Sequence, residues 1–332
     1  MLNNQPKLSI GLPVYNGEKF LEQAIESLLS QTFKDFEIII CDNASTDKTH
    51  EICKAYVARD NRIHYYRNET NIGCARNFAR VFELSSGEYF KWAAYDDLHD
   101  SSFLAKCIEI LDKDPSVILC HTLVKLIDEK SQLIGDYNIY LNTNSSKTHQ
   151  RFHELLAKHF CYQCYGVIRS SALRKTPPMG GYGAADAIFV LRLALIGRFY
   201  EIPEYLFFAR HHSQQSLSMF FPHHMSFTNN NPQYSLNMLP DFHAYAVWFD
   251  SANKGKILLP HWRIFWEYLR SAWMGKMNLY ERLRCHVSIV QKLRGTESLL
   301  LKDLLIASQV LWQRIPRLSV SIKVEVIKPS VS

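Results

Sequence analysis

Two adjacent carboxylates, Asp96 and Asp97, close the aromatic and apolar run Gly87-Glu88-Tyr89-Phe90-Lys91-Trp92-Ala93-Ala94-Tyr95. Such a run reads as a buried strand from Glu88 to Tyr95, and in an open α/β sheet ligands bind in the crevice outside the carboxyl ends of the strands. Two carboxylates this close repel each other unless a cation shares the site. A hard divalent ion, Mg²⁺ or Mn²⁺, takes one or two protein carboxylates and fills its shell with water and phosphate oxygens. The pair therefore implies a metal-bound phosphate ester or diphosphate. A plainer alternative places both acids near the start of a helix begun by Ser101-Ser102-Phe103, where negative charge meets the helix dipole.

The elements that would position these acids lie upstream. Leu8 to Val14 reads as a short apolar strand ending in the turn Pro13-Val14-Tyr15-Asn16-Gly17, followed by a helix with Leu21, Ala24, Ile25, Leu28 and Leu29 on one face. A second strand, Phe36 to Cys41, ends at Asp42-Asn43-Ala44-Ser45-Thr46-Asp47, whose polar side chains can cap the next helix. A third, Ile63 to Tyr66, precedes a helix opened by Asn71-Ile72-Gly73-Cys74-Ala75-Arg76-Asn77. Three strand–helix units before the acidic pair predict an α/β fold, a mainly parallel sheet with helices on both faces and right-handed crossovers.

These motifs together resemble the family 2 inverting glycosyltransferases, which have the GT-A fold, of the type that serves bacterial surface polysaccharides. The likeness rests on Pro13-Val14-Tyr15-Asn16, on the helix start Glu18-Lys19-Phe20-Leu21, on the Asp-rich turn Asp42 to Asp47, on Asn71-Ile72-Gly73 with Ala75-Arg76-Asn77, and on Asp96-Asp97. It covers roughly the first third of the chain. The resemblance implies a nucleotide-sugar donor contacted by Pro13, Tyr15, Asn16, Glu18, Asp42, Asn71, Arg76 and Asp96. It also implies Mn²⁺ or Mg²⁺ held by Asp96 and Asp97, with His212 from Arg210-His211-His212 reaching the metal or diphosphate. Where the family usually carries an acid two positions before the metal ligand, this chain has Ala94. Where it carries a Glu-Asp pair whose second residue is the catalytic base, this chain has Ala185-Asp186.

Each residue also has a reading of its own. Tyr15 can stack on a base while Asp42 accepts a ring N–H, a combination that suits uracil; packing and helix capping are the bland alternatives. Arg76 in a first helical turn can join free backbone N–H groups in meeting a diphosphate, or form a surface ion pair. Asp47 reads as a cap. Asp186, after the Gly-rich stretch 180–183 and before an apolar helix, is a carboxylate presented at a helix start, and an N-cap role fits the local sequence equally well. As a base it would take the proton from an acceptor hydroxyl as that oxygen attacks the anomeric carbon.

At 332 residues and 47% hydrophobic, the chain can bury a large core. The expected organisation is a catalytic domain over 6–216, an irregular linker or acceptor loop over 217–252, and a basic, aromatic helical region over 253–332. Eight scattered cysteines and a polar start favour a reducing cytoplasm, and Cys161-x-x-Cys164 reads as two core thiols. From 251 onward there are fourteen Lys and Arg against five acids, with Trp262, Trp266 and Trp273 among them. Such helices suit an anionic membrane surface at the inner face of the plasma membrane, or equally a packed appendage with a solvated basic face. Nucleic acid is disfavoured, since no recognition motif accompanies the charge. No run reaches the roughly 18 apolar residues of a spanning helix. The expected activity is transfer of a sugar, with inversion, from a UDP-sugar to a glycan or polyprenol-linked acceptor. A non-catalytic docking protein that keeps the nucleotide fold is the alternative from another class.

Overall fold

A computed structural model describes residues 5–156, 161–215, 219 and 242–314. Its first half follows the predicted alternation: β1 (Leu8–Val14), α1 (Leu21–Leu29), β2 (Phe36–Asp42), α2 (Thr49–Arg59), β3 (Ile63–Arg67), α3 (Cys74–Glu83) and β4 (Tyr89–Trp92). These strands are parallel in the order β3-β2-β1-β4. Every residue of β1 is buried, as expected of a strand covered on both faces. The register pairs Leu8 with Phe36 and Val14 with Asp42, so the turns after β1 and β2 emerge side by side.

Strand β4 is shorter than its sequence suggests. Ala93 still donates to Gly11 O at 2.9 Å, and the chain then leaves the sheet, which carries Asp96 and Asp97 to its carboxyl edge. Beyond β4 come β5 (Leu98–His99), α4 (Phe103–Lys113), β6 (Val117–Ile127), β7 (Leu133–Tyr137), α5 (Thr148–Leu155), a 3-10 turn (Tyr162–Tyr165), β8 (Val167–Arg169), α6 (Ser170–Leu173), α7 (Ala185–Ile196) and β9 (Arg198–Arg210). The sheet continues as β4-β8-β6-β9-β5, and here only β6 and β9 are parallel. The sheet is thus parallel on the N-terminal side and mixed on the other.

Among the described residues four longer α-helices follow: α8 (Phe242–Phe249), α9 (Pro260–Ser271), α10 (Leu279–Leu293) and α11 (Glu297–Arg314). Helix α8 falls inside the stretch expected to be irregular; the remainder of that stretch, except residue 219 and 250–252, lies outside the described residues, as do Ser216 and everything after 314. The C-terminal helices share a hydrophobic core with α7: Tyr268, Ala272, Cys285 and Ile289 pack in one cluster with Ile188, Leu191 and Leu195. Arg192 of α7 forms a fully buried ion pair with Glu267 of α9, and its Nε donates to Ser271 Oγ at 2.9 Å. Trp262 turns inward, donating to Leu300 O at 3.1 Å, whereas Trp266 and Trp273 are exposed.

The two halves meet at a seam around Asp250. Gly73, with φ +89°, would place a Cβ 2.9 Å from Phe249 O and 3.0 Å from Asp250 Cα. A Cβ on Gly181 would lie 2.3 Å from Asp250 Cβ. Only glycine fits at either place.

Candidate functional site

A cleft of about 880 Å³ opens along the carboxyl edge of the sheet. Pro13, Tyr15 and Asn16 line it from the turn after β1, Asn43 and Asn71 from the turns after β2 and β3, and Ala94, Asp96 and Asp97 from the turn after β4. Asp186 faces it from the first turn of α7. The structure therefore brings together five of the expected donor contacts, the acidic pair and the expected base.

The floor of the donor end is an amide network. Asn43 Nδ2 donates to Asn71 Oδ1 at 2.9 Å, and Asn68 Nδ2 donates to Asn43 Oδ1 at 2.9 Å and to Asn77 Oδ1 at 3.0 Å. Asn77 Nδ2 in turn donates to Cys41 O at 2.8 Å, and Asn43 Oδ1 accepts the Ile72 N–H at 2.9 Å. Buried amides so connected fix the loops after β2 and β3 in one arrangement. Sequence reasoning did not pick out Asn43, Asn68 or Asn77 as a unit; the Asn recurring at the end of one strand and the start of the next helix was the available signal.

The direct base contact expected of Asp42 meets an obstacle. Its side chain has no exposed surface. Its Oδ1 accepts the Ser45 N–H at 2.8 Å, and its Oδ2 accepts the Tyr65 hydroxyl at 2.7 Å and faces Arg67 Nε at 3.5 Å. Ser45 Oγ then accepts the Asn16 N–H at 2.9 Å. Asn16 sits in the left-handed region at φ 51°, its Oδ1 taking the Thr46 N–H at 2.9 Å. Asp42 thus acts through Ser45 on the turn that presents Tyr15, whose ring is 43% exposed.

Glu18 also lies off the cleft, with Oε2 accepting the Lys48 N–H at 3.0 Å. Asp47 caps as expected, taking the Thr49 N–H on Oδ1 at 3.0 Å. Arg76 lies outside the cleft lining, 58% exposed and 3.3 Å from Asp250 Oδ1.

The acidic turn is clamped from β9. Arg210 is buried, stacks over Phe20 at 4.7 Å, and donates from Nε to Asp96 O at 2.7 Å and from Nη2 to Gln23 Oε1 at 2.9 Å. Asp97 Oδ1 accepts the Arg210 backbone N–H at 2.8 Å. Burial, and then the Asp96 charge, push the Asp97 carboxyl well above the usual carboxylate range. Asp97 thus braces the turn through Oδ1 while still lining the cleft beside Asp96. Below it Lys91 is buried, with its Nζ on Tyr165 O, and burial pulls its ammonium down to about 7.

His212 Nε2 sits 2.9 Å from Asp96 Oδ2, its ring against Phe20 at 4.9 Å. No group of three or more His, Cys, Asp and Glu is arranged to hold an ion among the described residues. The Asp96 and Asp97 carboxylates at the cleft fit a Mn²⁺ or Mg²⁺ that draws its other ligands from water and phosphate oxygens, while His212, outside the lining, braces Asp96 from behind.

At the other end, Asp186 is the second residue of α7, and Ala184, left-handed at φ 57°, occupies the N-cap. Its Oδ1 takes the Ala187 N–H at 2.8 Å. Its charge is felt by Cys74, Cys161, Cys164 and Tyr268, whose groups burial pushes up first. Cys161 and Cys164 are free thiols lining the cleft. The C-terminal helices give the cleft a largely apolar wall: Tyr245, Trp248 and Phe249 of α8, Phe265 and Tyr268 of α9, Ile289 and Leu293 of α10. The sequence reading left 217–252 as a linker or an acceptor loop, and the lining places the part that forms α8 at the cleft, as a helix.

The sequence matches the family model for glycosyl transferase family 2 over residues 9–176. It is similar to an uncharacterized glycosyltransferase of Rickettsia typhi, 37% identical over 127 residues, 38% of this chain and 39% of that protein. It is also similar to the putative glycosyltransferase EpsE of Bacillus subtilis, 36% identical over 129 residues, 39% and 46% of the two chains. The matched stretch thus spans less than half of these relatives. The structure of S. aureus TarS 1-349, solved in complex with UDP-GlcNAc, superposes with a TM-score of 0.53 over 92% of both chains at 16% identity, which establishes the GT-A fold. With half its length inside the family model and the fold shared, the chain belongs to glycosyl transferase family 2.

Proposed function

We propose that the protein is an inverting glycosyltransferase that moves a sugar from a nucleotide donor, a UDP-sugar, to an acceptor used in polysaccharide assembly. The observation that supports this reading is that Asp186 and Asp96 face one cleft also lined by Tyr15, Asn43 and Asn71, with the buried His212 behind Asp96 at 2.9 Å. Tyr15 stacks on the base, positioned by Asp42 through Ser45. Asp96 and Asp97 would hold the divalent ion, which supplies charge neutralisation for the departing diphosphate. Arg76, exposed and paired with Asp250, would exchange that partner for phosphate oxygens. Asp186 accepts the proton from the acceptor hydroxyl as it attacks the anomeric carbon from the face opposite the diphosphate. The solved relative named for its UDP-GlcNAc complex supports a uridine donor. The chondroitin synthase of Escherichia coli, 33% identical over 41% of this chain and 20% of its own length, supports a glycan product. The cleft gives a docking role less support, because such a role requires no carboxylate at Asp186.

The outward faces of α10 and α11 carry Leu279, Leu283, Val287, Val290, Leu301, Leu305 and Trp312, all exposed. Among the described residues no helix is long and apolar enough to cross a membrane. With the basic surplus of this region, these faces suit peripheral contact with an anionic bilayer at the inner side of the plasma membrane.

The test is a screen of nucleotide sugars by calorimetry and slow hydrolysis, with and without Mn²⁺. One UDP-sugar should stand out, bound more tightly with metal. Absence of any nucleotide binding would overturn the reading.

A further inference from the structure

We infer that the apolar lobe of the cleft, walled by the C-terminal helices, binds the hydrocarbon chain of a lipid-linked acceptor, an inference that rests on the transferase reading above. The cleft is at the large end of the 300 to 1,000 Å³ typical of ligand sites, and its two ends differ in chemistry. The donor end offers amides and carboxylates. Trp248, Phe249, Phe265, Tyr268, Ile289 and Leu293 build the wall that the C-terminal helices contribute, and among the described lining residues that wall carries no acid. A glycan against this wall would meet mainly aromatic and aliphatic carbon, with few partners for its hydroxyls. A hydrocarbon chain loses nothing by desolvation and gains by burial.

Two further features fix the class of lipid. Lys292 is in this wall, its Nζ donating to the Leu156 carbonyl, as is His261, whose Nδ1 lies 2.8 Å from Asp303 Oδ1. Cationic and imidazole groups beside an apolar wall suit a chain that carries phosphate. Helix α10 is apolar on two sides: Cys285 and Ile289 face the core and the lobe, while Leu279, Leu283, Val287 and Val290 are exposed. A helix apolar on opposite faces is normally buried on both. Here one face borders the lobe, and a bilayer against the other would make the lobe continuous with the layer in which a polyprenyl phosphate resides. The acceptor hydroxyl would then reach Asp186 from the membrane side as the donor enters from the sheet side.

The experiment uses the full chain and a benzophenone-bearing farnesyl phosphate as photoprobe, with crosslinks mapped by mass spectrometry. Labelling should fall on α8, α9 and the inward face of α10. Farnesyl phosphate should displace the probe roughly tenfold or more better than geranyl phosphate, because five additional carbons are buried, and inorganic phosphate should not displace it. Trp248→Gln should cut labelling severalfold with an unchanged circular dichroism spectrum, and Leu283→Ser should leave labelling by this soluble probe intact. Crosslinks confined to the outer faces of α10 and α11, equal competition by geranyl and farnesyl phosphate, or displacement by phosphate alone would overturn the inference. UDP-sugar binding without lobe labelling would sink the lipid site and spare the transferase. Lobe labelling without nucleotide binding would do the reverse.

Discussion

The donor end and the acceptor end of the cleft are built on opposite principles. The donor end is polar and over-determined: Asn43, Asn68, Asn71 and Asn77 bind one another, Asp42 is saturated by Ser45, Tyr65 and Arg67, and Arg210 clamps the acidic turn. Each group is held by two or more directional bonds, so the geometry is set before a ligand arrives. The acceptor end is mainly aromatic and aliphatic, and its helices are held by packing, by the buried ion pair of Arg192 with Glu267, and by Asp303, which accepts the His261 and Trp262 backbone N–H groups. Directional bonding suits recognition of one invariant nucleotide. An apolar wall suits a ligand recognised by the area it buries.

The largest expected effect tests whether Asp186 belongs to the chemistry at the junction of the two ends. Asp186→Asn should lower single-turnover transfer by roughly 10² to 10⁴ while donor affinity and melting temperature hold, since a general base contributes about that much and Asn preserves size and the bond to Ala187 N. Near-normal transfer would reduce Asp186 to a helix-start residue.

Next in size is the weld inside the acceptor end. Glu267→Ala leaves Arg192 charged and buried and should cost about 3 to 5 kcal/mol, whereas Arg192→Leu with Glu267→Met should come close to neutral. Calorimetric scanning of both variants reads this. Unchanged stability in Glu267→Ala would mean that the C-terminal helices do not share the core's cooperativity. A smaller effect is expected for the histidine that braces Asp96: His212→Ala should cut the Mn²⁺ enhancement of UDP binding by roughly tenfold or more and leave metal-free binding alone. If metal dependence survives intact in that variant, His212 only packs on Phe20.

The smallest effect concerns the outward face of α10. Leu283→Ser with Val287→Ser should change stability by no more than about 0.5 kcal/mol, because both side chains are exposed. The same variant should float less with anionic vesicles. Equal flotation would leave that face without a bilayer role.

The donor end was largely legible in the sequence because its residues lie in short turns at strand ends, where Pro13, Asn16, Asn71 and Asp96 are spaced by local geometry. Legibility failed where long-range partners decide. Asp42 reads as a base contact until Tyr65 and Arg67, on the neighbouring strand, are seen to occupy it. Asp97 reads as a ligand alone until Arg210, 113 residues on, is seen to take its Oδ1 as a brace for the turn. The acceptor end offered little to read. Phe242-His243-Ala244-Tyr245-Ala246-Val247-Trp248-Phe249 is apolar at nearly every position, so no helical period stands out from it. Its place in the cleft depends on tertiary packing alone.

The seam at Asp250 carries a consequence for how this chain can vary. Asp250 is sandwiched between Gly73 on the donor side and Gly181 on the loop that leads to Asp186, with a methyl group too large for either gap. The two glycines therefore act as shims of zero thickness, setting how far apart the cleft walls stand. A side chain at either would work as a wedge, spreading the walls without touching a substrate atom. Positions remote from the reaction would then be as intolerant of change as the base itself, and the fault would be one of gauge, not of chemistry.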